Sequence, residues 1–142
     1  MKKEVMSVGD QIKNTYVITG VTWLGSAVFD LFDNIVCNFL TIILMAYALY
    51  MFFKVEKSSK EPEDEMAENN LMEARAITLV EMHILIAFLM IGVIVVTGFV
   101  SLDFLNWNQL IFSMLAFLIG AINLLVGINF RNLEKDGLEE EE

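Results

Sequence analysis

Residues 16–32 read YVITGVTWLGSAVFDLF, and the fold turns on whether this stretch crosses a membrane. A helix rises about 1.5 Å per residue, so about 20 residues cross a hydrocarbon core of about 30 Å. The stretch is marginal by that measure, because Asp30 and Asp33 interrupt its far end. Three other apolar stretches, 35–53, 77–100 and 109–130, meet the length. All Lys and Arg residues fall outside these runs: Lys2, Lys3 and Lys13 before the first, Lys54, Lys57, Lys60 and Arg75 in the middle, Arg131 and Lys135 after the last. If 16–32 crosses, every one of them lies on one side, as the positive-inside rule requires. If it does not, Lys13 and the Lys54 cluster fall on opposite faces. The sequence therefore predicts an all-α polytopic membrane protein, a four-helix transmembrane bundle of two in-out-in hairpins. The expected divisions are a cytoplasmic N-tail 1–15, hairpin 16–53, an acidic cytoplasmic linker 54–76, hairpin 77–130 and an acidic cytoplasmic C-tail 131–142. The expected location is the plasma membrane of a prokaryote.

Composition agrees. Of the 142 residues 56% are hydrophobic and 20% charged, with a net charge of −10, and the mean hydropathy is +0.60. Soluble domains carry about 45–50% apolar residues, so a soluble globular enzyme is not expected. Cys37 is the only cysteine, which excludes a disulfide scaffold. A pI near 4.4 disfavours nucleic-acid binding, since phosphates need a basic face. Lys2 and Lys3 resemble the basic start of a signal peptide. Glu4 and Asp10 separate them from the apolar run, however, and no small-x-small cleavage site follows, so an uncleaved span is expected.

In the linker Pro62 suits the first turn of a helix, with Glu63, Asp64 and Glu65 near its positive end. A helix from Met66 to Ala76 would run into the third span, although Asn69 and Asn70 weaken that expectation. Met66, Leu71 and Met72 form no sustained stripe. The acidic end of the chain reads as solvated. The outer loops, 30–34 and 103–106, both place an acid, two apolar residues and a helix-capping residue. Asp33 reads as a cap for the second helix. Trp107 fits an interfacial anchor and Trp23 a packing residue.

At 100° per residue the polar and small residues of each span share a face. These are Thr19, Thr22, Ser26, Asp30 and Asp33 in the first span, and Asn34, Cys37, Asn38 and Thr41 in the second. His83, Ala87, Thr97 and Ser101 make a looser stripe in the third. Ser113, Ala116, Gly120, Asn123 and Gly127 make the fourth. Membrane helices associate through such residues, and Ala116, Gly120 and Gly127 are expected to serve packing alone. A sharper reading has Asp30, Asp33, Asn34 and Asn38 converging at the outer surface above Thr22, Ser26 and Thr41, as a vestibule with an ion- or proton-binding Asp30. Glu81 and His83 are the other ionisable residues within a span, and such residues are functional candidates by default. Two residues apart, they face directions about 200° apart, so no joint metal or acid–base site is expected. Arg75 or Arg131 is the expected partner of Glu81. Asn123, near the bilayer middle, is expected to join helices.

Residues 64–78, DEMAENNLMEARAIT, resemble a segment of small uncharacterised four-span membrane proteins of bacteria and archaea, in which an acidic helix-prone stretch with an Ala-Arg or Ala-Lys pair precedes the third span. That resemblance implies a four-span protein and no catalytic residues. Small multidrug transporters have a similar span count but carry a membrane-embedded Glu in the first span. Residues 16–32 contain none, so transport by that mechanism is not expected. No catalytic motif, cofactor or metal site is legible. The expected function is that of a non-enzymatic accessory or regulatory protein working through protein contacts in the bilayer. Its expected partners are membrane lipids and another membrane protein or a second copy. The alternative is an oligomeric ion or small-molecule transporter using the polar stripe around Asp30.

Overall fold

A computed structural model describes residues 5–32, 34–60, 65–99 and 106–139. The expected roles of Asp33, Pro62 and Ser101, the loop around Asp103 and residues 140–142 lie outside the described residues, as does the side chain of Thr97. The chain forms β1 (Val5–Met6), α1 (Val8–Ile12), a π-helical segment (Lys13–Ile18), α2 (Thr19–Asp30), α3 (Ile35–Lys57), β2 (Ser59–Lys60), α4 (Glu65–Phe99) and α5 (Trp107–Glu139). The architecture is all-α, with four helical members packed together.

The first member is a continuous helical run, 8–30, of three segments. Ser7 caps it, its hydroxyl accepting from the Asp10 amide at 3.2 Å. The wider turns at Lys13–Ile18 leave α2 only 12 residues long. Three helices are long and apolar enough to cross a membrane, Ile35–Lys57, Glu65–Val93 and Trp107–Lys135, and α2 by itself is not. Asn34 caps α3, its side chain accepting from the Val36 amide at 2.8 Å, so the residue after Asp33 has the capping role expected of Asp33. Lys54 and Lys57 sit in the last turn of α3, where cations suit the helix dipole.

The helices stand in a row, α3–α2–α5–α4. The middle pair, α2 and α5, makes the most extensive contact, and α3 and α4 flank it. β1 pairs in parallel with β2, Val5 opposite Ser59, which fixes the N-terminal segment beside the end of α3. Exposure follows the rule for lipid rather than water. Ile35 is 84% exposed, and Phe39, Leu79 and Phe88 lie above 60%, while Thr22, Ser26, Thr41, Thr78, Ser113 and Asn129 are buried. With three helices of spanning length, this is the build of a small polytopic membrane protein.

A compact apolar cluster sits at one end: Ile12 of α1, Leu71 and Ala74 of α4, Val126 and Phe130 of α5. It forms because α4 begins well before the apolar run. Its 35 residues make a rod of about 52 Å, and Asn69 and Asn70 are helical within it. Helix α5 likewise continues past 130 to Glu139.

Candidate functional site

Helices α2 and α5 cross at glycines in antiparallel register. A Cβ added at Gly20 would lie 2.6 Å from the Leu124 amide nitrogen and 2.9 Å from the Gly120 carbonyl oxygen. One added at Gly120 would lie 2.8 Å from the Leu24 amide nitrogen, and one at Gly127 2.6 Å from a Val17 methyl. Ala116 is buried on the same face. Backbone thus meets backbone, as small residues allow. Gly20, the partner of Gly120, escaped the sequence reading. Its signal was its place one residue from Thr19 in the polar stripe.

This register carries Asp30, at the end of α2, to the first turns of α5. Ser113 Oγ donates to Asp30 Oδ2 at 2.7 Å, and Gln109 Nε2 donates to the Asp30 carbonyl. A helix C-terminus leaves carbonyls without partners, and Gln109 supplies one donor. A carboxylate there opposes the dipole, and Ser113 is the donor that offsets it. The vestibule does not assemble among the described residues. Asn34 and Asn38 are exposed, and the Asn34 carbonyl accepts from the Asn38 amide as an ordinary helical bond. The hydroxyls below are buried and turned onto their own helix: Thr19 Oγ1 donates to Asn14 O at 3.0 Å, Thr22 to Ile18 O at 2.6 Å, Ser26 to Thr22 O at 3.0 Å. A hydroxyl reaches the preceding turn easily, and in hydrocarbon that contact satisfies it. Thr41 Oγ1 is buried without a partner among the described residues.

The second polar cluster lies toward the other end, between α4 and α5. Asn129 Nδ2 donates to Glu81 Oε2 at 2.8 Å and to Thr78 Oγ1 at 3.2 Å. Asn129 is buried and Glu81 half-buried. The partner of Glu81 is therefore an amide rather than the expected arginine. Arg75 donates instead to the Tyr16 hydroxyl at 2.7 Å, because it lies almost two turns nearer the helix start, level with the π-helical segment. Asn129 also escaped the sequence reading, although an amide within an apolar run is itself a signal. Asn123 drew that attention, but its Nδ2 donates to Ile119 O of its own helix at 2.8 Å. It lines a cleft of about 410 Å3 with Tyr16, Thr19, Trp23, Ala48 and Phe52. His83 is exposed, with Nδ1 2.6 Å from the Leu79 carbonyl, and is not brought to Glu81. Cys37 is free and half-buried. Among the described residues no three His, Cys, Asp or Glu side chains gather as a metal site would need.

Beside Asp30, an apolar cleft of about 240 Å3 opens between α2, α4 and α5, with Ala27, Leu89 and Phe117 in its wall. Among the residues whose burial is described, Met82 is the last buried one of α4, and beyond it α4 meets α5 across open clefts. No protein-family model matches the chain, and searches of curated proteins and of solved structures likewise find no match. The likeness of residues 64–78 to other small membrane proteins accordingly assigns no family.

Proposed function

We propose that this chain is a four-span plasma-membrane protein of a prokaryote, with both termini cytoplasmic, acting as a non-catalytic accessory or regulatory protein through contacts with another membrane protein. The first span is 16–32, which the helical run 8–30 fills as far as Asp30 and which leaves Lys13 outside. It keeps register with α5 from Val17 beside Gly127 to Asp30 beside Ser113. Helix α5 is long and apolar enough to cross, and a helix paired along it over that distance lies at the same depth. Its hydroxyls are satisfied, which lowers the cost of its polar content. With 16–32 as a span, every Lys and Arg falls on one side. The β1–β2 pair, which joins the N-terminal segment to the end of α3, fits that arrangement.

One observation carries the accessory reading. Thr22, Ser26, Asp30, Ser113, Glu81 and Asn129 close on their own helices or on one another, Thr41 being the buried exception, while α3 and the far half of α4 turn apolar side chains outward. Transport needs a polar route, whereas partner contact in lipid needs a packing face. The test is cross-linking in native membranes from a photoreactive phenylalanine at Phe39 or Phe88, which are 64% and 69% exposed. One discrete protein adduct in stoichiometric yield is expected, and adducts to lipid alone would overturn the reading. Ion or proton flux through reconstituted protein that Asp30→Asn abolishes would replace it with the transporter.

A further inference from the structure

The register that pairs Val17 with Gly127 also brings Lys13 and Arg131 to one cleft. This cleft, of about 340 Å3, lies between the start of the first helical run and the end of the α5 span. Ile12, Val17 and Phe130 give it an apolar lining, and Lys13, Arg131 and Glu134 are its charged residues. A Cβ added at Gly9 in its wall would meet nothing within 4 Å, so its mouth is open.

Lys13, Arg131 and Glu134 are all exposed, so the two cations are open to an anion that enters the cleft. Among the described residues no hydrogen bond or ion pair engages the head group of either, and Glu134 pairs with neither. Lys13 precedes the first apolar run and Arg131 follows the last, so on the four-span reading the cleft lies at the cytoplasmic membrane edge. This inference rests on that reading. Basic pockets between spans on this side suit phospholipid head groups. Glu134 narrows the choice. It lies one helical turn beyond Arg131, so the two side chains are neighbours on one face of α5, and a head group that carries an ammonium close to its phosphate can meet both.

We propose that this cleft binds an aminophospholipid of the inner leaflet, phosphatidylethanolamine in chemical type. Its phosphodiester accepts from Lys13 and Arg131, and its ammonium donates to Glu134. The glycerol and upper acyl carbons lie along Ile12, Val17 and Phe130. Arg131 presents a planar fork to the phosphate, and Lys13 a mobile point charge from the facing helix.

The test uses the full-length protein in nanodiscs of phosphatidylcholine doped with phosphatidylethanolamine or phosphatidylglycerol, with bound lipid counted by native mass spectrometry. One phosphatidylethanolamine per chain is expected, held at least tenfold more tightly than either other lipid. The trimethylated ammonium of phosphatidylcholine has no proton to give Glu134. Lys13→Gln with Arg131→Gln should weaken binding at least tenfold at an unchanged melting temperature. Glu134→Gln should remove the preference over phosphatidylglycerol and leave binding itself. Equal retention of all three lipids, or retention unaffected by the double substitution, would overturn the site. Displacement of the lipid by millimolar inorganic phosphate would reassign it to a soluble anion. Should the double variant unfold, Lys13→Arg is the check, with binding expected within threefold of the parent. Nanodiscs are indifferent to orientation, so failure here is distinct from failure of the topology, which an accessibility reporter at Lys57 reads separately.

Discussion

Gly20 and Gly120 show how much of the assembly rests on single side chains. An alanine at either meets backbone atoms at 2.6–2.9 Å, and backbone cannot turn aside as a side chain can. Gly20→Ala or Gly120→Ala should therefore separate α2 from α5 and cost about 1–3 kcal/mol, the usual range for overpacking. Thermal unfolding in detergent reads this, and an unchanged melting temperature would show that the crossing is looser than described. At Gly127 the nearest atom is a Val17 methyl, so the loss should be smaller. Gly137→Ala is the control: a Cβ there meets nothing within 4 Å, and helix propensity favours alanine by about 1 kcal/mol. The Glu81–Asn129 contact has its own prediction. Asn129→Leu removes the donor to Glu81 and Thr78 and should cost about 0.6–1.7 kcal/mol, the range for polar contacts between membrane helices. Glu81→Gln should cost less, since its amide oxygen still accepts. Unchanged stability in Asn129→Leu would mean that the contact contributes little. The stripe on α5 was legible because its members recur every three or four residues. Gly20 and Asn129 carried weaker signals, and the partner each meets, Gly120 or Glu81, is set by the register with another helix.

Among the elements, α4 departs furthest from expectation. Its start was legible in outline, as the acids near Glu65 suit a helix N-terminus. Its docking was not. The buried stripe is Leu71, Ala74, Thr78 and Met82, and a search for large apolar residues finds only its ends. Asn69 and Asn70 read as breakers because local propensity disfavours them, yet packing of the same helix at Leu71 and Ala74 overrides so small a cost. Leu71→Ala should therefore destabilise the cluster at Phe130 by about 2–5 kcal/mol, measured by thermal unfolding or by protection of the 65–76 amides from exchange. Full protection in that variant would show that the cluster does not hold the helix end. The π-helical segment has no signature in KNTYVI that periodicity detects. A π turn shifts the facing side chains by about one residue, which appears only when the partner helix is in place.

For the whole molecule, hydropathy and the distribution of Lys and Arg carried the reading, since both are sums over many residues and tolerate local error. They predicted the helical class and the three spans of sufficient length. They were silent on the order α3–α2–α5–α4, which depends on which faces can approach, and they made 16–32 a span through the placing of Lys and Arg alone. Reporter fusions test that span. A reporter at Lys57 and one after residue 139 should both read cytoplasmic, and one in the 31–34 turn should read exterior. An exterior signal at Lys57 would overturn the four-span topology. On the four-span reading the segments on the cytoplasmic side hold every cation and still come out acidic, with four cations against seven acids in the linker and two against six in the C-tail. Attachment to anionic lipid by bulk charge is therefore not expected, and contact with lipid head groups falls to local clefts.

The central pairing of α2 with α5 has a consequence in time. The two helices that pack most extensively come from opposite ends of the chain, so the ribosome makes the first long before the second. At about 5–20 residues per second, the interval between them lasts on the order of 4–15 seconds. Throughout it α2, which is not long and apolar enough to cross a membrane by itself, waits with its Gly20 face uncovered and Asp30 without Ser113. The row thus closes on the arrival of α5 rather than growing hairpin by hairpin. A chain cut short before Trp107 would lack the element that holds its first helix in place.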